Sequence, residues 1–297
     1  MDYTRRAARW LLGATAHPGG EALTRHVLGR LRLPAGALVA DVACGDGATL
    51  SLLSRAGLLA VGVDVEPRAV ATARRHAPAV VGDAHALPLT SRAYDAVLVE
   101  CAVSTFTDAP RALAQAARVL RPGGQLAMTD VVLRRDLAQP AVVAAVDRLM
   151  TGRTVTEYGG LLTGAGLQVV RVEDRPADAL ALCRRLSRRL TAVGARNAAS
   201  TARACARAVE EGALYYALLS RQTPGRHTVS AGPDQRRGAD QAAAQTAALT
   251  VPGVADRPFC AAKRRATPAL CGPKRPSAEM RHPRAFIRVC QVWTDAR

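Results

Sequence analysis

Residues 37–47 read Ala37-Leu38-Val39-Ala40-Asp41-Val42-Ala43-Cys44-Gly45-Asp46-Gly47. The first six form an apolar run interrupted by a single carboxylate, the composition of a strand covered on both faces. Gly45 and Gly47 then turn the chain into a helical stretch that reaches Arg55 and closes at Gly57. The same unit recurs downstream. Residues 58–63 predict a second strand ending at Asp64, and Pro67 opens a helix at a first-turn position that tolerates proline. Residues 79–81 predict a short third strand, followed by Gly82-Asp83-Ala84. Residues 94–99 predict a fourth, ending at Glu100. Asp108 caps a helix with Pro110 in its first turn, running to Leu120. Arg121-Pro122-Gly123-Gly124 turns the chain into a fifth strand over 125–129. Strand–helix alternation with short turns requires right-handed crossovers and parallel pairing. The expected fold is α/β: a doubly wound, mostly parallel, Rossmann-like sheet.

Beyond Asp130 the rhythm loosens. Residues 136–150 predict an inserted helix, and Thr154 with Glu157 fits a capping box for a helix ending near 164–166. A sixth strand is expected over 167–172 and a last one over 213–219. Between them, Leu182, Leu186, Leu190 and Val193 form an apolar stripe at helical spacing. Arg184, Arg185, Arg188 and Arg189 fall off that stripe and read as a solvated face. A further helix is expected over about 199–210. From Arg221 periodicity stops, and eight Pro and five Gly occupy the last 77 residues. The expected organisation is a helical N-terminal segment over 1–36, an α/β domain over 37–220, and a disordered basic tail over 221–297.

The chain of 297 residues carries 41 basic and 24 acidic groups, a net charge of +17. Residues 221–297 hold 14 basic and 5 acidic groups, so +9 lies in the tail. Only Lys263 and Lys274 are lysines. The dominance of Arg and Ala has the look of a GC-rich coding bias, so the charge is weak support for a nucleic-acid partner. Seven Cys, an odd number without a CxxC, argue against a disulfide framework or a zinc site and for a reducing, cytoplasmic setting. No apolar run approaches the ~18–20 residues of a membrane helix. Arg5-Arg6 ahead of residues 10–16 falls short of an export signal and reads as an amphipathic N-terminal helix.

In open α/β sheets ligands bind at the carboxyl ends of the strands. Asp64 ends strand two, Asp83 follows strand three, Glu100 ends strand four, and Asp41 lies near the end of strand one. Four carboxylates therefore converge on one edge. No Lys or Arg stands in these strand-end turns until Arg68, so the edge suits a ligand rich in hydroxyls and positive charge rather than phosphate. A dinucleotide fingerprint would need glycine at position 50, which is Leu50, and there is no Walker lysine. Asp64 lies 19 residues after Gly45, a spacing that places a carboxylate on a ribose diol.

The run 39–47, with Gly62-Val63-Asp64, Gly82-Asp83-Ala84 and Arg118-Val119-Leu120-Arg121-Pro122-Gly123-Gly124, resembles in order and spacing the motifs of class I S-adenosylmethionine-dependent methyltransferases. The similarity is strongest to the group containing ubiquinone-biosynthesis and arsenite methyltransferases. Glu100-Cys101-Ala102-Val103-Ser104 and His17-Pro18-Gly19-Gly20 are similar to a bacterial subgroup of that kind. The resemblance spans about 17–220. It implies S-adenosylmethionine as cofactor, with Gly45 and Gly47 bordering its methionine, Asp41 reaching the ammonium, Asp64 the ribose, and Asp83 with the Ala84 backbone the adenine. Ala43 stands where many members carry glycine. Residues 1–36 are then a lid over a methyltransferase domain. Glu100 is open to three roles, gripping the methionine ammonium, acting as a base toward the acceptor, or pairing with an arginine; with the other three carboxylates assigned, the acceptor role is favoured and Glu100 is the candidate catalytic residue.

The expected activity is methyl transfer to a small-molecule acceptor. A metalloid methyltransferase would use Cys44, Cys101, Cys183 and Cys205 as thiolates, but no cysteine precedes residue 44, where the arsenite enzymes carry one. An RNA methyltransferase would exploit the arginine faces, yet no RNA-binding module is discernible. A cofactor-binding protein without turnover is the third alternative. No resident metal, no nucleic acid and no membrane are expected as partners. Oligomeric state is not legible. His17 and His85 read as exposed turn histidines, and Phe106, Tyr215 and Tyr216 as core.

Overall fold

Seven strands, β1 (Leu38–Val42), β2 (Leu59–Asp64), β3 (Ala79–Val81), β4 (Tyr94–Glu100), β5 (Leu120–Leu133), β6 (Gln168–Asp174) and β7 (Leu214–Gln222), make one sheet. Their order is β3-β2-β1-β4-β5-β7-β6. This computed structural model describes residues 10–13 and 15–223, and the expected tail lies outside them from residue 224 onward. Strands β1 to β5 pair in parallel, and β7 runs antiparallel between β5 and β6. The helices are α1 (Gly20–Leu31), α2 (Ala48–Arg55), α3 (Pro67–Ala73), α4 (Ala109–Val119), α5 (Pro140–Asp147), α6 (Val155–Gly164), α7 (Pro176–Ala192) and α8 (Arg196–Glu210). The doubly wound α/β architecture is as expected.

All five residues of β1 are buried, because the strand lies between β2 and β4 and helices cover both faces. Successive side chains go to opposite faces. Val39 packs with Leu23, Val27 and Leu31 of α1 and Leu53 of α2. Ala40 and Val42 pack on the other face with Leu113 of α4 and Tyr158 and Leu162 of α6. Helix α1, inside the stretch 1–36, is therefore part of the domain core.

The helix starts follow local chemistry. The Asp108 carboxylate accepts from the Arg111 N–H at 3.0 Å, and Thr154 and Glu157 form the reciprocal capping box. Helix α3 is capped by Glu66, which accepts from the Arg68 N–H, and not by Asp64.

Four differences from the sequence reading have physical causes. Residues 121–124 are not a turn ahead of β5 but a bulge within it: Leu120 already pairs with Tyr94, and the next pair is Ala96 with Gln125. Strand β5 continues beyond Thr129 to Leu133 because β7 pairs along it as far as Leu214. Asp130 hides this continuation in the sequence, yet its Oδ2 accepts from the Ser104 N–H and its Oδ1 from the Val131 N–H, both at 2.8 Å. Val193 lies past the end of α7 and is exposed. Finally, the α7 arginines are not all solvated. Arg185 Nη2 donates to the Leu12 carbonyl at 2.7 Å and Arg189 Nη1 to that of Leu11 at 3.4 Å. The Arg189 guanidinium also lies 5.3 Å from the Trp10 ring centre.

Candidate functional site

The register of the central strands decides where the carboxylates point. Asp41 pairs with Gly62 of β2 on one side and Leu98 of β4 on the other. Asp64 and Glu100 lie two residues beyond those partners, so all three side chains project from the same face. Asp41 is recessed one row, with Asp64 and Glu100 above it at the strand ends. A cleft of about 720 Å³ opens over them, lined also by Gly45, Asp46, Asp83, Ala84 and His85, by Thr15–His17, and by Cys101, Ala102 and residues 105–107. Each candidate residue except Gly47 lines it.

Asp41 is buried, and its Oδ2 has no hydrogen-bond partner among the described residues. Burial, then the charges of Glu100 and Asp64, hold its carboxyl well above the usual carboxylate range. Asp64 is fixed by backbone: its Oδ2 accepts from the Gly45 N–H at 2.8 Å and its Oδ1 from the Glu66 N–H at 2.9 Å. This locks the turn after β1 to the end of β2. Asp83 stands at the rim, and the backbone N–H and ring of His85 hold its carboxyl below the usual range.

Glu100 is more engaged than its sequence position suggests. Thr24 Oγ1 donates to its carboxylate, 3.1 Å from each oxygen, and Thr49 Oγ1 donates to Oε2 at 2.9 Å. His17 Nε2 lies 3.9 Å from the same oxygen. Sequence reasoning missed both threonines. Thr24 was detectable, being a hydroxyl inside the buried stripe Leu23, Val27 and Leu31 of α1 that must find a partner. Thr49 carries no such signal.

The two glycines differ. A Cβ on Gly45, at φ +55°, would meet nothing within 4 Å and would occupy open cleft. A Cβ on Gly47, at φ +87°, would come within 2.7 Å of the Ala73 backbone. Gly45 thus gives a ligand access to backbone, whereas Gly47 lets α2 start against α3.

The four described cysteines are not brought to one site. Cys44 and Cys101 line the cleft, while Cys183 and Cys205 sit on α7 and α8 away from it. Burial pushes the Cys101 and Cys183 thiols up to about 12 and Cys205 to about 11, so none is a ready thiolate. Among the described residues no group of three His, Cys, Asp or Glu could hold a metal. Tyr216 is core, as expected, with its hydroxyl 2.9 Å from Thr129 Oγ1.

A family profile described as a methyltransferase domain matches residues 40–128. An uncharacterized methyltransferase of Synechocystis is 31% identical over 169 residues, covering 53% of this chain and 80% of that protein. The chain belongs to the class I S-adenosylmethionine-dependent methyltransferases. Methyltransferase GfsG of Streptomyces halstedii is 31% identical over 170 residues, 52% of this chain. The match spans only 61% of that protein's own length. The same fold is seen in phosphoethanolamine N-methyltransferase 2 of Haemonchus contortus, with a TM-score of 0.63 at 17% identity, covering 73% of this chain and 56% of that one.

The residues of this chain fit the family's cofactor. The orphaned Asp41 oxygen and the open side of Gly45 offer an acceptor and a close backbone approach. Among the described residues lining the cleft are six carboxylates, Asp41, Asp46, Asp64, Glu66, Asp83 and Glu100, and no Lys or Arg. That charge suits a sulfonium, an ammonium and a ribose diol.

Proposed function

We propose that this methyltransferase transfers the methyl group of S-adenosylmethionine to a neutral or cationic small molecule. The observation that carries the reading is the charge of the cleft: among the described residues, six carboxylates and no Lys or Arg line it in a chain of +17. An acceptor bearing phosphate or carboxylate would enter against that field, whereas an amine, hydroxyl or carbon nucleophile on an uncharged body would not.

The cofactor, when bound, supplies a methyl group already activated on sulfonium sulfur. The chain's residues have to hold, align and exclude water. Asp41 receives the ammonium, Asp64 the ribose hydroxyls, and Asp83 with the Ala84 backbone the adenine, with Gly45 beside the methionine. Gly47 supports the same turn from behind. Glu100 faces the acceptor. Its carboxylate is steadied by the Thr24 and Thr49 hydroxyls. These leave it lone pairs with which to orient or deprotonate the acceptor. Phe106 and Leu149 offer the acceptor's body apolar surface. Alignment of this kind supplies up to ~7–11 kcal/mol of a barrier. Within the segment over 1–36, Thr15–His17 wall the cleft and serve as its lid, while α1 belongs to the core.

We read the setting as cytoplasmic, because the four described cysteines are free. No helix among the described residues is long and apolar enough to cross a membrane. Nucleic acid is not the acceptor in this reading, since two of the four α7 arginines are spent on the Leu11 and Leu12 carbonyls.

The test splits a deproteinised metabolite extract on an anion exchanger at pH 7 and offers each fraction with methyl-labelled S-adenosylmethionine. Label entering the unretained fraction is the expected result. Label confined to retained, anionic compounds overturns the acceptor class. Label in neither fraction, with the cofactor bound, favours a binding protein without turnover.

A further inference from the structure

The rim of the cleft carries a hydrogen-bond relay that the functional reading leaves unused. Asp83 caps the single 3-10 turn 84–86, its Oδ1 accepting from the His85 N–H at 2.9 Å. The same oxygen meets His85 Nδ1. The other ring nitrogen, Nε2, lies 3.2 Å from the Asp108 backbone nitrogen, which donates to it, and 3.5 Å from Thr107 Oγ1. An amide N–H can only donate, so Nε2 carries a lone pair and the ring hydrogen sits on Nδ1, where it donates to Asp83. The tautomer is thereby set by its two neighbours. Arg111 Nε donates to the His85 carbonyl at 2.9 Å, and the Phe106 ring packs edge-on to the imidazole with centroids 5.8 Å apart. The imidazole is 18% exposed, while the carboxylate it holds is 60% exposed.

We propose that His85 is a positioning residue: it pins Asp83 through Oδ1, leaving Oδ2 for the exocyclic amino group of adenine, and ties that carboxylate to the neighbouring residues 106–108. The inference rests on the reading that Asp83 faces the adenine. An exposed carboxylate left to itself samples several rotamers and loses that freedom on binding. Here both bonds fall on one oxygen, so the rotamer is fixed before the ligand arrives. A fixed carboxylate oxygen accepts from an amino group and meets a purine carbonyl with lone pair against lone pair. His85 therefore sharpens base selectivity and not only affinity.

The test uses the full chain and calorimetry with two probes, S-adenosyl-L-homocysteine and S-inosyl-L-homocysteine, which differ at the purine 6 position. Wild type should prefer the adenosyl compound at least tenfold, and His85→Ala should reduce that preference to threefold or less. His85→Asn places an amide near Nδ1 and should retain the preference. His85→Gln reaches the Nε2 position, keeps an acceptor for Asp108, and should lose it. If His85→Ala weakens both probes alike, the residue is merely structural and the proposal is overturned. Should that variant not fold, equal selectivity in the Asn and Gln variants overturns it instead. Wild type that binds the adenosyl compound without preference refutes this inference alone, whereas wild type that binds neither probe refutes the cofactor reading beneath it.

Discussion

Asp41 shows how a strand position becomes a chemical property. Its neighbours in register put Asp64 and Glu100 one row above it on the same face, and burial with those two charges drives its carboxyl toward the protonated form. An ammonium arriving beside it reverses that preference, because an opposite charge favours the ionised carboxylate. Cofactor binding should therefore release a proton, and affinity should rise as pH rises through the raised Asp41 value. Calorimetry in buffers of different ionisation enthalpy should show the release, and Asp41→Asn should abolish it. A buffer-independent heat in wild type would remove Asp41 from the ammonium site. Glu100 makes the complementary case. If it orients or deprotonates the acceptor, Glu100→Gln should lower turnover ~10²-fold or more while cofactor affinity changes by under ~1.4 kcal/mol. The reverse pattern, affinity lost and saturated turnover kept, would assign Glu100 to the ammonium alongside Asp41.

The turn from β1 into α2 carries both roles of glycine, and substitution should separate them. Gly47→Ala combines a positive φ with a Cβ pressed against the Ala73 backbone of α3, a contact that cannot give by rotating a side chain. It should cost ~2–4 kcal/mol of stability, read from urea unfolding. Gly45→Ala adds a methyl to open cleft and should cost the fold only about 1–2 kcal/mol, but weaken S-adenosylhomocysteine binding clearly. Equal unfolding midpoints in the two variants would show that the packing of α2 on α3 does not govern this turn. The elements most legible in the sequence were of this kind, with local causes: the Gly57 stop, Pro67 and Pro110 near helix starts, the Thr154–Glu157 box. What stayed hidden depended on distant partners. Asp130 breaks an apolar run, and nothing nearby says that the Ser104 N–H will satisfy it. Arg185 looks like one more surface arginine until the Leu12 carbonyl, 173 residues earlier, is placed against it. The candidate site divides likewise. The strand-end carboxylates followed from counting along the chain, whereas the Thr24 and Thr49 hydroxyls on Glu100 required the fold.

Across the whole molecule, charge and architecture are separately distributed. Residues 224–297 carry 13 basic and 5 acidic groups, +8 of the total +17, while the seven described strands and the described cleft lining all precede Thr223. The boundary is sharper than composition suggests. Arg221 and Gln222 still belong to β7, pairing with Leu126 and Gln125 of β5 on one side and with Val169 and Gln168 of β6 on the other. Thr223 closes the strand, its N–H donating to the Gly124 carbonyl at 2.9 Å and its hydroxyl to that of Arg121 at 2.8 Å. These bonds hold the bulge of β5 in place. A chain cut after Thr223 should therefore melt within a few degrees of the full chain and bind S-adenosylhomocysteine with the same affinity. A chain cut after Leu219 removes the partners of 125–127 in β5 and of 168–171 in β6, and should lose several degrees or fail to fold. Thermal melts of both truncations beside the full chain measure this, repeated at low and high salt because charge effects are screened. If the cut after Thr223 changes affinity at low salt only, the basic tail acts on the acidic cleft through its field. If it lowers the melting point at every salt concentration, the tail packs on the domain and the boundary after Thr223 is wrong.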